Sequence, residues 1–187
     1  MPIKRLVPLT LISVLAVGLA ACATLQRGPV GNFNVPEPSK AVDLSRYAGL
    51  WYEIGRYENG FEMGCEGVTA RYTVREDGLV GVLNTCRQGD VAGMARTSEG
   101  KAKVVEGSGN AKLKVSFFGP FYFGDYWALD RADDYSWSIV GEPSGRYLWL
   151  LSRVPEPSAE VREAIMTRVH ELGYDTDMIR RVQQPPA

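Results

Sequence analysis

The run Val68-Thr69-Ala70-Arg71-Tyr72-Thr73-Val74-Arg75 alternates apolar and polar side chains without a break. Successive side chains of a strand point to opposite faces, so a strict period of two marks a strand with one buried face and one wet face. Glu76-Asp77-Gly78 supplies a tight turn and residues 79–87 return the chain, which makes a hairpin. Ala111, Leu113, Val115 and Phe117 repeat the alternation against Lys112, Lys114 and Ser116. Further strand-like runs cover 50–57, 98–105, 122–129, 135–140 and 146–153. Eight strands in all, spaced by about 10 to 20 residues, predict an all-β meander, either an up-and-down antiparallel barrel or a sandwich.

One segment leaves this pattern. Pro155 and Pro157 stop the last strand, and Ser158 is placed to cap a helix over 159–172. Val161, Ile165, Val169 and Leu172 form its apolar stripe, and Gly173 suits the position just past its end. A single amphipathic helix after a strand meander is expected to pack on the outside of the sheet. A short strand over 178–183 is expected to follow.

Ahead of the strands, Lys4 and Arg5 precede a run over 6–19 whose only hydroxyl residues are Thr10 and Ser13. About 14 apolar positions are short for a membrane span of roughly 20 and suit the apolar region of a signal peptide. Leu19-Ala20-Ala21-Cys22 resembles the lipobox of bacterial lipoproteins, in which the cysteine becomes the acylated first residue. The competing reading takes Ala21-Cys22-Ala23 as an ordinary A-x-A cleavage site that releases a soluble chain. On the lipobox reading, residues 1–21 are the signal peptide. Residues 22–43 are then the lipidated cysteine and a flexible tether rich in proline (Pro29, Pro36, Pro38), and 44–187 are the barrel domain. At ~3.3 Å per residue such a tether reaches about 60 Å. Ala23 after Cys22, where an aspartate usually retains a lipoprotein at the inner membrane, points to the outer membrane.

The remaining cysteines, Cys65 and Cys86, form a natural pair in an oxidising compartment, worth roughly 3 kcal/mol on the chain-entropy model. The geometry resists it at first sight. A turn at Asp77-Gly78 that sets residue 76 opposite 79 puts Cys65 opposite residue 90, so the bond requires a bulge or a fold-back of the loop that carries Cys65.

Gly49-Leu50-Trp51 resembles the G-x-W signature of lipocalins, Gly124-Asp125-Tyr126 the second motif of that family, and Leu151-Ser152-Arg153 the third. Gly124 departs from the family's threonine. Trp51-Tyr52-Glu53-Ile54, residues 113–122, residues 147–153 and the closing Val182-Gln183-Gln184-Pro185 resemble the bacterial outer-membrane lipoprotein branch. The resemblance implies an eight-stranded lipocalin barrel whose Trp51 plugs the closed end beside Gly49, with Arg153 stacked on the indole. It also implies a fatty acid or lysophospholipid ligand and a part in envelope maintenance. Ligand-lining candidates are Glu53 and Tyr57, which share the face of Trp51 by period two, with Tyr72, Phe117, Tyr126 and Trp149 on later strands. Phe61, in the loop after the first strand, is placed to gate the mouth or to anchor its loop.

Catalysis finds little support. His170, the only histidine, falls on the outer helix, where no Ser-His or zinc constellation can form around the barrel. The alternatives to a ligand carrier are a thiol enzyme using Cys65 at the barrel mouth and a structural lipoprotein with a filled barrel. No cofactor or metal site is expected. With 21 basic and 22 acidic side chains the chain has no dense basic run, so nucleic acid is not an expected partner. The expected partners are the apolar ligand and the membrane, through acylated Cys22. Oligomeric state is open, a homodimer included. Growth with labelled palmitate should label the chain, and Cys22→Ser should abolish the label; a labelled variant would move the anchor elsewhere.

Overall fold

A computed structural model describes residues 28–186. Nine strands follow one another: β1 (Gly49–Tyr57), β2 (Cys65–Val74), β3 (Val80–Gln88), β4 (Ala95–Val104), β5 (Lys112–Ser116), β6 (Gly124–Arg131), β7 (Trp137–Gly141), β8 (Leu148–Ser152) and β9 (Ile179–Arg181). A short helix α1 (Leu44–Tyr47) precedes β1, and α2 (Ala159–Glu171) follows β8. Strands β2 to β8 pair in sequence order, β8 pairs β1, and β1 pairs back to β2. The expected eight-stranded antiparallel barrel is therefore closed, and closure removes the free sheet edges that invite aggregation.

Because the strands run alternately up and down, the connections fall at two ends. Loops 58–64, 89–94, 117–123 and 142–147 gather at the open end, and turns 75–79, 105–111 and 132–136 at the closed end. The ninth strand has a local cause. Gly67, at φ +54°, sits in a bulge where the β2–β3 register shifts between Glu66 and Thr69. Beyond Tyr52 the edge of β1 is no longer paired with β2, and β9 pairs there with Gly55 to Tyr57.

The same bulge resolves the cysteine geometry. Val74 pairs Val80, and the shift at the bulge brings Cys65 opposite Gln88 rather than residue 90. Cys86 then lies within reach, with Cα atoms 5.3 Å apart, and the two sulfurs are bonded. This bond removes the thiol that an enzyme reading of Cys65 needs.

The closed end is sealed by Trp51, which is wholly buried. Its Nε1–H donates to the carbonyl of Tyr47 at 2.8 Å, and the Arg153 guanidinium lies 3.7 Å above the ring centre. Arg153 also donates to the carbonyls of Leu50 (2.8 Å), Arg46 (2.7 Å) and Ala48 (3.0 Å), which satisfies the last turn of α1. Gly49, at φ +97°, passes under this guanidinium, and a Cβ there would stand 3.3 Å from Nη1. Asp125, expected among these motif residues, is a correction. It starts β6 at the open end, where it pairs with Lys114 at 2.6 Å. Its counterpart in the seal is the turn after β6, where the carbonyl of Tyr135 accepts from Arg153 Nε and its hydroxyl accepts from the Asp43 amide.

On the outside, α2 begins at Ser158, whose hydroxyl accepts from the Val161 amide. It lays Ile165, Val169 and Leu172 on Ile54, Leu129, Ile139, Leu148 and Leu150 of the barrel wall. That is the packing expected from its stripe.

The segment 28–43, expected as part of a tether, is instead laid along the barrel. Gly31 and Asn32 donate to the Gly145 carbonyl at the open end, and Asn32 Nδ2 donates to the Leu172 carbonyl. Lys40 pairs with Asp130 at 3.0 Å, and the Val42 amide donates to Gly109 at the closed end. Cys22 and the signal-peptide residues lie outside the described residues.

Removing the indole leaves both a cavity and an unstacked guanidinium. Trp51→Ala should cost ~3 to 5 kcal/mol in urea unfolding, as large aromatic truncations do. A cost below about 1 kcal/mol would mean that the base is not sealed by this residue.

Candidate functional site: the barrel cavity

The barrel encloses a cavity of about 780 Å³ that opens between the loops of the open end. Small-molecule sites occupy about 300 to 1,000 Å³, so this interior is not filled by its own side chains. Its floor is built from three tyrosines that stack above Trp51. Tyr47 lies 5.0 Å from Trp51 and 5.8 Å from Tyr72, and Tyr72 meets Tyr126 edge-on at 5.8 Å. The Tyr47 hydroxyl bonds both Tyr126 and Ser138 at 2.8 Å. Burial raises the pKa of all three phenols, and they stay neutral. Beside the floor, Val80, Val82, Ala102 and Leu113 form an apolar wall packed against Tyr72 and Tyr126. α1 supplies Tyr47 because Asp43 caps it, its carboxylate accepting from the amides of Ser45 and Arg46.

The neck is charged. Glu53 is buried, and its Oε1 accepts from Arg56 Nη1 at 2.9 Å. Arg56 has no exposed surface and also donates to Glu58 and to the Glu62 carbonyl. Glu62 Oε2 in turn accepts from Trp149 Nε1 at 2.9 Å and from Asn59 Nδ2. Burial first, and then the Glu62 carboxylate beside it, raises the Glu53 pKa well above its usual value, against the opposing pull of Arg56. Glu58 is shared between Arg56 and Arg180, each at 3.1 Å, and Glu53, the most deeply buried of the carboxyls, holds a proton most readily.

Of the ligand candidates, Glu53, Phe61, Tyr72, Phe117, Tyr126 and Trp149 all line the cavity. Tyr57 does not. A register shift between Glu53 and Gly55 inserts one residue into β1, so the faces exchange beyond it. Tyr57 turns outward under α2, beside Tyr174, and donates to the Asp175 carbonyl at 2.8 Å. The same exchange turns Arg56 inward. The sequence reading missed Arg56, Glu62 and Tyr47. Only Tyr47 had a signal, the capping Asp43 ahead of Leu44-Ser45-Arg46; the bulge and the loop geometry leave no periodic trace. A second concavity, outside between α2 and the wall, is lined by Glu160, Glu163, Arg168 and Glu171 and is a charged surface groove.

A closed eight-stranded barrel with one cavity, a tryptophan base and an arginine cover is matched by the sequence comparisons. The family model for the lipocalin-like domain matches residues 42–184. The chain is a lipocalin. It is 42% identical to the outer membrane lipoprotein Blc of Escherichia coli strain K12, over 97% of this chain and 98% of that one. Identity to the Blc of Vibrio cholerae is 41%, over 90% and 98%. Among solved structures, the cockroach allergen Per a 4 shares the fold at a TM-score of 0.64 and 19% identity, covering 83% of this chain and 96% of that one. Insecticyanin from the tobacco hornworm shares it at 0.61 and 20%, covering 85% and 86%. Lipocalins bind small hydrophobic ligands and are in general not enzymes. These relatives place the lipocalin among outer-membrane lipoproteins, and no helix among its described residues is long and apolar enough to cross a membrane.

The state of Glu53 gives the barrel a pH dependence of known sign. Its folded pKa lies above the unfolded value of 4.5, so the fold is favoured by the neutral acid. That contribution is whole below pH 4.5 and is lost as pH rises through the folded pKa. Glu53→Gln keeps the shape without the titration. Urea unfolding followed from acid to alkaline pH should show wild type falling relative to the variant; a constant difference would mean that Glu53 titrates in the fold as it does in the unfolded chain.

Proposed function

We propose that this lipocalin carries a single-chain lipid, a fatty acid or a lysophospholipid, in its cavity. On this reading it is held to the outer membrane by acylation of Cys22 and serves lipid storage, transport or envelope maintenance. The observation that carries the reading is an open, apolar-walled cavity of about 780 Å³ whose charged lining residues, Glu53, Glu62, Arg96 and Asp125, all lie on the open-end side of the tyrosine floor. An alkyl chain entering it gains ~25 cal/mol for each Å² of apolar surface removed from water. The floor offers tyrosine rings and no charge, so the chain terminus lies deepest and the head group stays at the neck. A filled structural barrel is disfavoured by that volume.

The neck discriminates between head groups. Glu53 and Glu62 repel an ionised fatty-acid carboxylate, so a fatty acid binds best where one partner is protonated or where its head points outward. An ammonium head group is attracted to the same carboxyls. Titration with palmitate and with lysophosphatidylethanolamine, read by tryptophan fluorescence, tests the reading. Both should saturate, and palmitate should weaken as pH rises while the ammonium lipid does not. Trp149→Ala should weaken both by about tenfold, because a half-buried ring is lost from the wall and Glu62 keeps only Asn59 of its two side-chain donors. Absence of saturable binding by either lipid would leave the cavity without this role.

A further inference from the structure

Of the large apolar side chains that remain exposed, Val74 and Val154 stand singly near the closed end, and most of the others gather at the open end. Phe61 and Met63 lie in the β1–β2 loop, Met94 in the β3–β4 loop, and Phe117, Phe118, Phe121 and Phe123 in the β5–β6 loop. All three loops belong to the open end. Phe118 is 86% exposed, Phe123 84% and Met94 77%, values at which a side chain contributes almost nothing to the fold. Phe121, 61% exposed, stacks on Phe123 at 5.6 Å. Phe33, 92% exposed, adds a further ring beside the β7–β8 loop, since the neighbouring Asn32 amide bonds Gly145. Exposed apolar surface of this kind, concentrated on one face, marks a contact surface.

Two further observations select the occupant. The first is continuity. Phe61, Phe117 and Phe118 are exposed and also line the cavity, so one unbroken apolar surface runs from the interior onto the outer face of the loops. The second is the position of the chain origin. β1 starts at the closed end, yet residues 28–43 run back along the barrel, and Gly28 lies at the mouth, where its carbonyl accepts from Arg146 Nη1. Six residue steps separate Gly28 from Cys22, which at ~3.6 Å per step allows at most about 20 Å. An acyl group on Cys22 therefore meets the bilayer on the side of the molecule that carries the exposed rings. The closed end presents charged side chains instead, Glu76, Glu106 and Asp134 with the pairs Arg75–Asp77 and Arg131–Asp133.

We propose that the open end of the barrel is a membrane-docking face, whose loop side chains enter the interfacial layer of a phospholipid bilayer with the cavity mouth against it. Docked in this way, a lipid chain passes between bilayer and cavity along apolar surface and never crosses water. The charges near the rim are mixed, with Arg87, Arg96 and Arg146 beside Glu58, Asp90 and Asp125, so the attraction comes from apolar insertion rather than from lipid charge. The orientation argument rests on the acylation of Cys22; the docking face does not.

The test uses the mature chain from residue 22 with Cys22→Ser, which keeps every residue of the folded barrel and carries no acyl group. It is floated with vesicles of phosphatidylethanolamine and phosphatidylglycerol. The expected result is partition into the lipid fraction that persists in high salt. The triple substitution Met94→Ser, Phe121→Ser and Phe123→Ser, none of which lines the cavity, should reduce partition by at least about tenfold. The same variant should bind palmitate in solution as the parent does, which separates loss of docking from loss of the ligand site. Three results overturn the proposal: a parent chain left in the aqueous fraction, a triple variant that floats as well as the parent, or partition abolished by salt. A parent that is dimeric through these loops and does not float assigns the face to a second copy of the chain and also overturns it.

Discussion

Everything in this barrel is hung on the contact between Arg153 and Trp51. A guanidinium has no acceptor capacity and five donors in a fixed plane, so its burial demands several carbonyls at set positions. Arg153 finds them on Arg46, Ala48 and Leu50 while its flat face covers the indole. That single side chain, carried just past the end of β8, thereby fixes α1, the start of β1 and the turn that holds Tyr135. The cation–π contact itself is worth ~0.5 to 2 kcal/mol. Its larger consequence is geometric. With the base sealed, Tyr47 is held over Trp51, the three-tyrosine floor follows, and the cavity can exist only above it.

The parts of this architecture that depend on periodicity were legible in the sequence. The β2–β3 hairpin, the outer helix with Ile165 and Val169 inward, and the base residues Gly49, Trp51 and Arg153 follow from alternation, stripe and motif. The parts that depend on an interruption of periodicity were not. One inserted residue between Glu53 and Gly55 sends Tyr57 to the outside and brings Arg56 in. Another near Gly67 admits β9 and makes the disulfide possible. The one trace each bulge leaves is a glycine within the strand, Gly55 and Gly67, which marks a possible bulge without saying that a residue is inserted or which way the faces exchange. The second motif failed for a different reason. Gly124-Asp125-Tyr126 has the right letters, but β6 enters at the open end, so Asp125 pairs with Lys114 there and takes no part in the contacts of Trp51 and Arg153.

The neck shows how a barrel can tolerate buried charge. A buried ion pair gains little over an apolar substitute, because desolvation offsets the attraction. Here Arg56 meets the carboxylates of Glu53 and Glu58, Arg180 pairs with Glu58 as well, and burial with the nearby Glu62 favours the neutral form of Glu53. Such an arrangement is a poor device for rigidity and a good one for responding to what enters. A cation at the neck draws the Glu53 pKa back down, and an anion requires it to stay up. The head group and the protonation of the site are therefore linked, and affinity for each lipid class carries its own pH dependence.

The leading segment limits what the proposed acyl anchor on Cys22 can do. A tether of about 60 Å would leave the barrel free to tumble, with its mouth in any direction. Because residues 28–43 are fastened along the wall by Asn32, Lys40 and Val42, only a few residues remain between Cys22 and the rim. A short linker attached at one pole of a barrel restricts orientation, since turning the molecule over would carry Gly28 away from the membrane by roughly the height of the barrel. The local concentration of lipid at the mouth then rises in the way that intramolecular attachment raises any second contact. Fastening also explains why the segment is ordered where it does not line the cavity: the contacts along the wall transfer the chain origin from the base, where β1 begins, to the end where the ligand enters.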